Sequence, residues 1–393
     1  MEKKFEKQSD QLRVMFFEHG MTGGSVKALA NILKELSELD CEVGLTSLYK
    51  RTSPIDLGSL DCIRFWHCLD LLPHVRPEPE VAVRTLGIPR PTRFGMKYFF
   101  FALSALRRFR PDIAYFNNEI ESSIPAAIAA KLLGIHTVCH FRMTRELHSI
   151  EKVSVKFFDR IIVLTKAAQQ IVQANGINNQ KLAQIYDPYD LEEFEKSSKK
   201  NLDFTQMEAK SIYIVQVGTL SNRKRPDLAI DAFKLAKMEC PNLKLVLAGG
   251  GQMQDALAKK VESEGLNGSV LLIGQCDKIP SLLKKCHIGL LVSRAEGYPT
   301  SVIEYMLGKL PVVTSDFVGI TELIDNGKNG FIIPESSPQL IAQALIKLYH
   351  SPELRRNMGY NGYHFVNSGL FNLETHIRRI NCILENLMQQ SRT

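Results

Sequence analysis

The chain has 393 residues, 45% apolar and 23% charged, which is the balance of a soluble globular protein and too much chain for one ordinary core. Its net charge of +7 is modest for this size, and no nucleic-acid-binding module is recognisable, so nucleic acid is not an expected partner. Eight cysteines lie scattered, without metal-type spacing or a dense framework, as in a protein of the reducing cytosol with free thiols.

The N-terminal stretch MEKKFEKQSDQLRV has no apolar core of signal-peptide length. Leu12 to Glu18 then reads as a strand, followed by a loop carrying Gly20, Gly23 and Gly24 and a helix from Ser25 to Leu39. Glu42 to Ser47 is the next strand. From Arg90 to Arg110 there are six basic residues and no acidic ones, around the aromatic run Tyr98 to Phe101. The run Tyr98–Leu106 is about half the length of a membrane span. Basic residues framing an aromatic helix suit peripheral contact with an anionic membrane or a lipid-diphosphate acceptor; a core helix with basic ends fits equally well. Strands follow at Asp112–Phe116, His136–Phe141 and Asp159–Leu164, with an alanine-rich helix at Ile124–Leu133.

Glu195 to Lys210 is polar and aperiodic and reads as a linker. The strand–helix rhythm then restarts: strand Ile212–Val217, helix Pro226–Met238, strand Lys244–Ala248, glycines 249 to 251, helix Met253–Glu264, strand Val270–Ile273 and helix Ile279–Lys285. An apolar run, His287–Val292, leads into SRAEGYPTSVIEYMLGKLPVVTSD. Its last part, Pro311–Thr314, reads as a strand, and helix Pro338–Tyr349 and a last helix at Asn372–Leu387 follow. Two such restarts predict an α/β protein of two Rossmann-like domains, each a doubly wound parallel sheet, facing a central cleft. The expected boundaries are 1–195 for the first domain, 196–210 for the linker and 211–370 for the second.

The stretch from Ser293 to Asp316 carries the chemistry. Glu296 and Gly297 sit in a loop at the end of a strand, and a helix opens near Pro299 to Ser301, where proline suits a first turn and Thr300 or Ser301 can cap it. Glu304 lies about one turn further on. Two carboxylates flanking backbone N–H groups at a helix start suit a phosphorylated sugar: amides and helix dipole for phosphate, carboxylates for hydroxyls.

This passage resembles the signature of the retaining glycosyltransferases of family four (glycosyl transferases group one), nucleotide-sugar-dependent enzymes of the GT-B fold. The resemblance extends over most of the chain, through Val14–Gly24, Arg110–Phe116, Asp159–Leu164 and Ile185–Phe194 (IYDPYDLEEF), and is stronger in the second half. It implies that Glu296 contacts the transferred hexose and that Glu304 grips the ribose diol. It implies that residues 371–393 form a helix crossing back to the first domain. Gly23 and Gly24 fall where the family brings its N-terminal loop against donor phosphate and acceptor, Gly319 near the donor sugar, and His140 where many members place a histidine facing that sugar. Arg142, beside it, is a candidate anion ligand.

Val215–Pro226 reads VQVGTLSNRKRP: strand, glycine, then a basic loop entering a helix, a reasonable diphosphate site in which Gly218 lets the backbone approach. Lys224 matches the family's phosphate lysine. Thr219 stands where the family has arginine, a departure that leaves Arg223 or Arg225 to supply the charge. Gly250 and its neighbours suit a nucleotide contact or simply a tight turn. No Asp-x-Asp triplet occurs, so the leaving diphosphate is expected to be stabilised without a metal, by Lys224, an arginine and the amides of Tyr298 to Ser301. No cofactor is implied, the nucleoside-diphosphate sugar being a substrate. The resemblance further implies a glycan or lipid-linked acceptor, a role in cell-surface polysaccharide such as lipopolysaccharide, and a cytoplasmic protein with peripheral contact at the inner membrane face through residues 90–110. A non-catalytic nucleotide-sugar-binding or scaffold protein is the alternative that Thr219 keeps open.

Overall fold

The computed structural model describes residues 11–18, 24–39, 41–47, 61–68, 92–199, 207–208, 210–334 and 337–390. The chain divides into two compact units, Met1–Pro188 with Leu373–Thr393, and Tyr189–Asn372.

The first unit is built on seven parallel strands, β1 (Arg13–Glu18), β2 (Glu42–Ser47), β3 (Ile63–Cys68), β4 (Ile113–Asn118), β5 (His136–Phe141), β6 (Arg160–Val163) and β7 (Leu182–Gln184), in the order β3-β2-β1-β4-β5-β6-β7. Between them run α1 (Gly24–Glu38), α2 (Thr92–Phe109), α3 (Ile120–Leu132), α4 (Ser149–Ser154) and α5 (Lys166–Ala174). The strands are buried on both faces, so their apolar residues serve two cores with a period of two. Met15, Phe17, Ala114 and Phe116 face one way, into a core with Ala102, Ala105 and Phe109 of α2 and Ala126 and Ala130 of α3. Val14, Phe16, Ile113 and Tyr115 face the other way, toward Leu29, Ile32, Leu33 and Leu36 of α1.

The second unit has six parallel strands, β8 (Ile212–Val217), β9 (Leu243–Ala248), β10 (Val270–Gly274), β11 (Ile288–Leu291), β12 (Val312–Ser315) and β13 (Gly330–Ile333), in the order β10-β9-β8-β11-β12-β13. Its helices are α6 (Leu191–Ser198), α7 (Pro226–Glu239), α8 (Gln254–Ser263), α9 (Ile279–Leu283), α10 (Thr300–Leu307), α11 (Pro338–His350) and α12 (Pro352–Val366). The last helix, α13 (Leu373–Gln390), belongs to the first unit, where Ile377, Ile380, Leu384 and Leu387 complete the core under α1.

The division between units falls at Pro188 rather than at residue 195. The reason is α6, part of which reads as linker in the sequence. Asp190 caps it through a 2.8 Å bond from the Glu193 N–H, and it packs with α9, whose Ser281 hydroxyl donates to the Ser197 carbonyl at 2.7 Å. The remainder of the expected linker lies largely outside the described residues. Helix α2 has a buried face of Tyr98, Phe101, Ala102, Ala105, Leu106 and Phe109, while Met96 and Phe100 stand 64% and 61% exposed. The core reading therefore accounts for most of its apolar residues, and the exposed pair is left over. No described helix is long and apolar enough to cross a membrane.

Candidate active site

In each sheet the strand order reverses once, between β1 and β4 in the first unit and between β8 and β11 in the second. Loops leaving two such strands part to opposite sides, which opens a crevice at their carboxyl ends. In the second unit those loops are residues 218–225 and 292–299, and they are laced together. The Arg294 N–H donates to the Arg223 carbonyl at 2.9 Å, the Arg223 guanidinium donates to the Ala295 carbonyl at 2.9 Å, and Gln216 Nε2 holds the Lys224 carbonyl at 3.0 Å.

Glu296 lies at the centre of this lacing, only 8% exposed. Lys224 Nζ is 2.7 Å from its Oε1, and Arg223 Nη1 is 2.6 Å from its Oε2. Burial favours the protonated acid. The charges of Lys224 and Arg223, with hydrogen bonds from Lys224 and Ser293, outweigh it and hold the pKa of Glu296 below the ordinary value. The carboxylate is therefore ionised at neutral pH, between two cations.

Glycine makes this packing possible. The Lys224 side chain passes over Gly218, where a Cβ would come 3.3 Å from Lys224 Cε. A Cβ on Gly249 would sit 1.9 Å from the Gly218 carbonyl oxygen, and one on Gly251 2.4 Å from that of Leu220. Gly250, between them, has open space, and its carbonyl accepts the Leu220 N–H at 3.0 Å. Close backbone approach thus explains Gly249 and Gly251, whereas Gly250 is the one able to border a ligand. Arg225 turns the chain into α7 with a left-handed φ of 51° and Pro226 behind it. Gly319, with φ at 91°, makes the corresponding turn after β12.

The start of α10 differs from the sequence expectation in two respects. Pro299 is the N-cap, and neither Thr300 nor Ser301 caps the helix through its side chain. The amides are also fewer, since Pro299 has no N–H and that of Thr300 is taken by the Tyr298 carbonyl at 3.0 Å. Gly297 and Tyr298 are half-buried in the loop, and Ser301 is buried. Glu304 lies in the second turn and receives a 2.9 Å hydrogen bond from the Tyr189 hydroxyl. Its neighbour Tyr305 fixes the helix, accepting the Val217 N–H at 2.8 Å and donating to the Leu290 carbonyl at 3.2 Å, which pins α10 beneath β8 and β11. Neither tyrosine carries a sequence signal: a tyrosine before a helix cap and another on an apolar helix face are both ordinary.

In the first unit, the crevice end of the sheet is a buried polar chain. Glu18 of β1 accepts from Asn117 Nδ2, Asn117 Oδ1 accepts from Arg142 Nε at 2.6 Å, and the Arg142 guanidinium is paired with Asp187. The expectation that Arg142 binds an anionic substrate is thereby corrected, because its charge is already met by a buried carboxylate. His140 is fully buried, with Nδ1 2.7 Å from the Tyr115 hydroxyl and its ring stacked on that of His376 at 6.3 Å. Burial, then the positive charge of Arg142 and the nearness of His376, hold His140 well below the ordinary histidine range, so it is neutral. His376 Nδ1 is 2.7 Å from the Tyr186 carbonyl, and its pKa is lowered to about 4, chiefly by burial. The Nε2 atoms of both rings are buried and make no hydrogen bond. Gly24 opens α1, and Gly23 lies outside the described residues. Elsewhere, Glu121, His148 and Glu151 bring their ligand atoms close together, but Glu151 is bound by Arg145 at 2.7 and 3.0 Å and closes the cap of α4.

Known proteins share this architecture. The family model for glycosyl transferases group 1 matches residues 197–365, and that for glycosyltransferase family 4 matches residues 22–193. An Escherichia coli UDP-Gal:alpha-D-GlcNAc-diphosphoundecaprenol alpha-1,3-galactosyltransferase is 25% identical over 297 residues, 69% of this chain and 76% of that protein. A Campylobacter jejuni alpha-1,4-N-acetyl-D-galactosaminyltransferase, whose named acceptor is a GalNAc-containing diphosphoundecaprenol glycan, is 23% identical over 86% of this chain and 89% of its own length. With three other glycosyltransferase relatives, one from Bacillus subtilis and two from Methanocaldococcus jannaschii, the matched stretches span only 39%, 62% and 58% of the relative. Among solved structures, Anabaena HepE in complex with UDP superposes with a TM-score of 0.75 at 19% identity, over 95% of this chain and 100% of that one. That likeness shows the fold, GT-B.

Proposed function

We propose, from the premise that this chain belongs to the group 1 and family 4 glycosyltransferases, that it transfers a hexose from a nucleoside-diphosphate sugar to a glycan or lipid-linked acceptor, with retained configuration and without a metal. The observation that carries this reading is the Lys224–Glu296–Arg223 cluster at the β8/β11 strand reversal. A nearly buried carboxylate kept ionised beside two cations brings together what the reaction needs. The cations meet the charge that develops on the leaving diphosphate, and the carboxylate faces positive charge at the anomeric carbon. An arriving diphosphate competes with Glu296 for Lys224 and Arg223, which turns the cluster from an internal ion pair into a donor site.

Arg223 answers the departure at Thr219. It comes from the same loop, four residues on, and its side chain is 53% exposed while remaining attached to Glu296. The guanidinium can therefore reach phosphate without leaving the cluster. In the resulting front-face mechanism, acceptor and leaving group occupy one side of the sugar, so Glu296 positions and stabilises rather than attacks. Glu304 holds the ribose diol. His140, neutral and packed on His376, supports the first unit's crevice end as a hydrogen-bonding ring, not as a charged one.

The acceptor class follows the diphosphoundecaprenol-linked substrates in the names of the Escherichia coli and Campylobacter relatives. A surface-polysaccharide role and peripheral contact with anionic membrane at the cytoplasmic face belong to the same proposal. The exposed Met96 and Phe100 of α2, with Lys97 beside them, support the contact. Thr219 favours one rival, a nucleotide-sugar-binding protein without turnover.

The test is a panel of uridine, guanosine and adenosine diphosphate sugars, screened by thermal stabilisation and then by slow hydrolysis with wild type and Glu296→Ala. Stabilisation with hydrolysis that Glu296→Ala abolishes supports transfer chemistry. Stabilisation without release of nucleotide in either protein, with or without acceptors, favours the binding protein.

A further inference from the structure

Tyr189 is the first residue of the second unit, and its place there is set three times over. Its N–H donates to the Phe371 carbonyl at 2.9 Å, its ring meets Phe194 edge-on at 6.0 Å, and the next residue, Asp190, caps α6. The hydroxyl that this backbone carries reaches Glu304 Oε1 at 2.9 Å. Helix α10 carries Glu304, and Tyr305 fixes that helix against β8 and β11. The contact therefore joins two rigid supports, 115 residues apart in sequence.

The proton belongs to the tyrosine. Burial, then the charge of Glu304 and the hydrogen bond to it, raise the Tyr189 pKa well above its ordinary value, so the hydroxyl donates and the carboxylate accepts. A carboxylate has about four acceptor sites on two oxygens, and the bond from Tyr189 takes one of them. An isolated glutamate on a helix samples several rotamers and loses that freedom on gripping a diol. One whose orientation is already set loses less.

We propose that Tyr189 is a positioning residue for the donor: its hydroxyl holds Glu304 in the orientation that grips the ribose diol, so that affinity for a ribonucleoside diphosphate depends on a residue outside the signature passage. The inference rests on the reading of Glu304 given above. It assigns Tyr189 to ribose recognition and away from the chemical step.

The experiment uses the full chain and measures binding of uridine, guanosine and adenosine diphosphates and of their 2′-deoxy counterparts to wild type and Tyr189→Phe, together with kcat and KM for the active donor. Phenylalanine keeps the ring against Phe194 and removes only the hydroxyl. Losing a hydrogen bond to a charged group is costly, so Tyr189→Phe should weaken ribonucleotide binding and raise KM by on the order of tenfold, with kcat within about twofold. The 2′-deoxy ligand keeps only the 3′-hydroxyl for Glu304, so it should lose clearly less on the substitution than the ribonucleotide does. Equal weakening of both ligands would make Tyr189 a packing residue and overturn the proposal, as would unchanged ribonucleotide binding in the variant. If wild type binds no nucleoside diphosphate, the donor-site reading itself fails and takes this inference with it; that result is distinct because it appears before any substitution is made.

Discussion

Lys224 and Glu296 meet at 2.7 Å across 72 residues of sequence, because the loops that carry them leave neighbouring strands, β8 and β11, at the point where the strand order turns. The cation helps to keep a nearly buried acid ionised, and the two charges offset one another where little water reaches them.

Substitution within this pair should separate binding from turnover. Glu296→Gln, which keeps the shape, should lower kcat by about 10²- to 10³-fold, the usual cost of losing one preorganised charge-stabilising group. Glu304→Ala should mainly raise KM for the donor. Lys224→Ala should lower kcat and weaken nucleoside-diphosphate binding together. Steady-state kinetics and calorimetric binding read these separately, and the opposite assignment of kcat and KM effects to the two glutamates would mean that their roles are exchanged. The Lys224/Glu296 double substitution should cost less than the sum of the two singles, since they form one unit.

The glycine triplet gives a sharp internal contrast. Gly249→Ala forces a Cβ to within 1.9 Å of a backbone oxygen that cannot step aside, so the β8 loop must shift. A destabilisation of about 1–3 kcal/mol, seen as a drop of several degrees in the melting of the second unit, is expected. Gly250→Ala has open space and should leave melting nearly unchanged. If Gly250 borders the nucleotide, its effect appears in donor KM alone.

Acid should weaken the first unit before the carboxylates titrate. His140 and His376 have folded pKa values below the unfolded value, His376 at about 4. Between about pH 6.5 and 4 the unfolded chain therefore binds more protons than the folded one, and stability falls as pH falls. For His376 the full span corresponds to about 3 kcal/mol. Glu151 and Asp159, whose folded pKa values are lowered, add their loss to the first unit at lower pH, as the pH falls through the carboxylate range, and Glu296 does the same for the second. Urea unfolding of wild type and His376→Gln at pH 7 and pH 5 checks this: the variant should lose less stability between the two.

Peripheral membrane contact makes its own prediction at α2. With anionic vesicles at low salt, wild type should float, and Phe100→Ser with Met96→Ser should reduce flotation severalfold without changing melting, because both side chains are exposed. Flotation that is absent in wild type, or insensitive to both substitutions, removes α2 as the contact.

Much of the second unit is legible from the chain alone. Strands such as IYIVQV and LKLVLA are largely apolar runs that each end at a glycine, and Pro226 and Pro338 sit in the first turns of α7 and α11. Three strands carry too little pattern to be read: β7 has three residues, β3 mixes arginine, tryptophan and histidine, and β13 opens on glycine. They exist because a neighbouring strand offers a hydrogen-bonding edge, which is a property of the sheet and not of the segment. The same holds for α6, whose helical character depends on its Asp190 cap and on α9.

The residue types of the site, and their spacing along the signature passage, are written in the linear chain, since helix geometry alone puts Glu304 just over one turn into a helix that begins four residues after Glu296. Which cations pair with Glu296, which histidine is kept neutral by burial, which arginine is paired with Asp187 and which tyrosine donates to Glu304 are all long-range facts. Each is set by electrostatics and hydrogen bonding between segments 45 to 236 residues apart, distances over which a one-dimensional pattern carries no information about who meets whom.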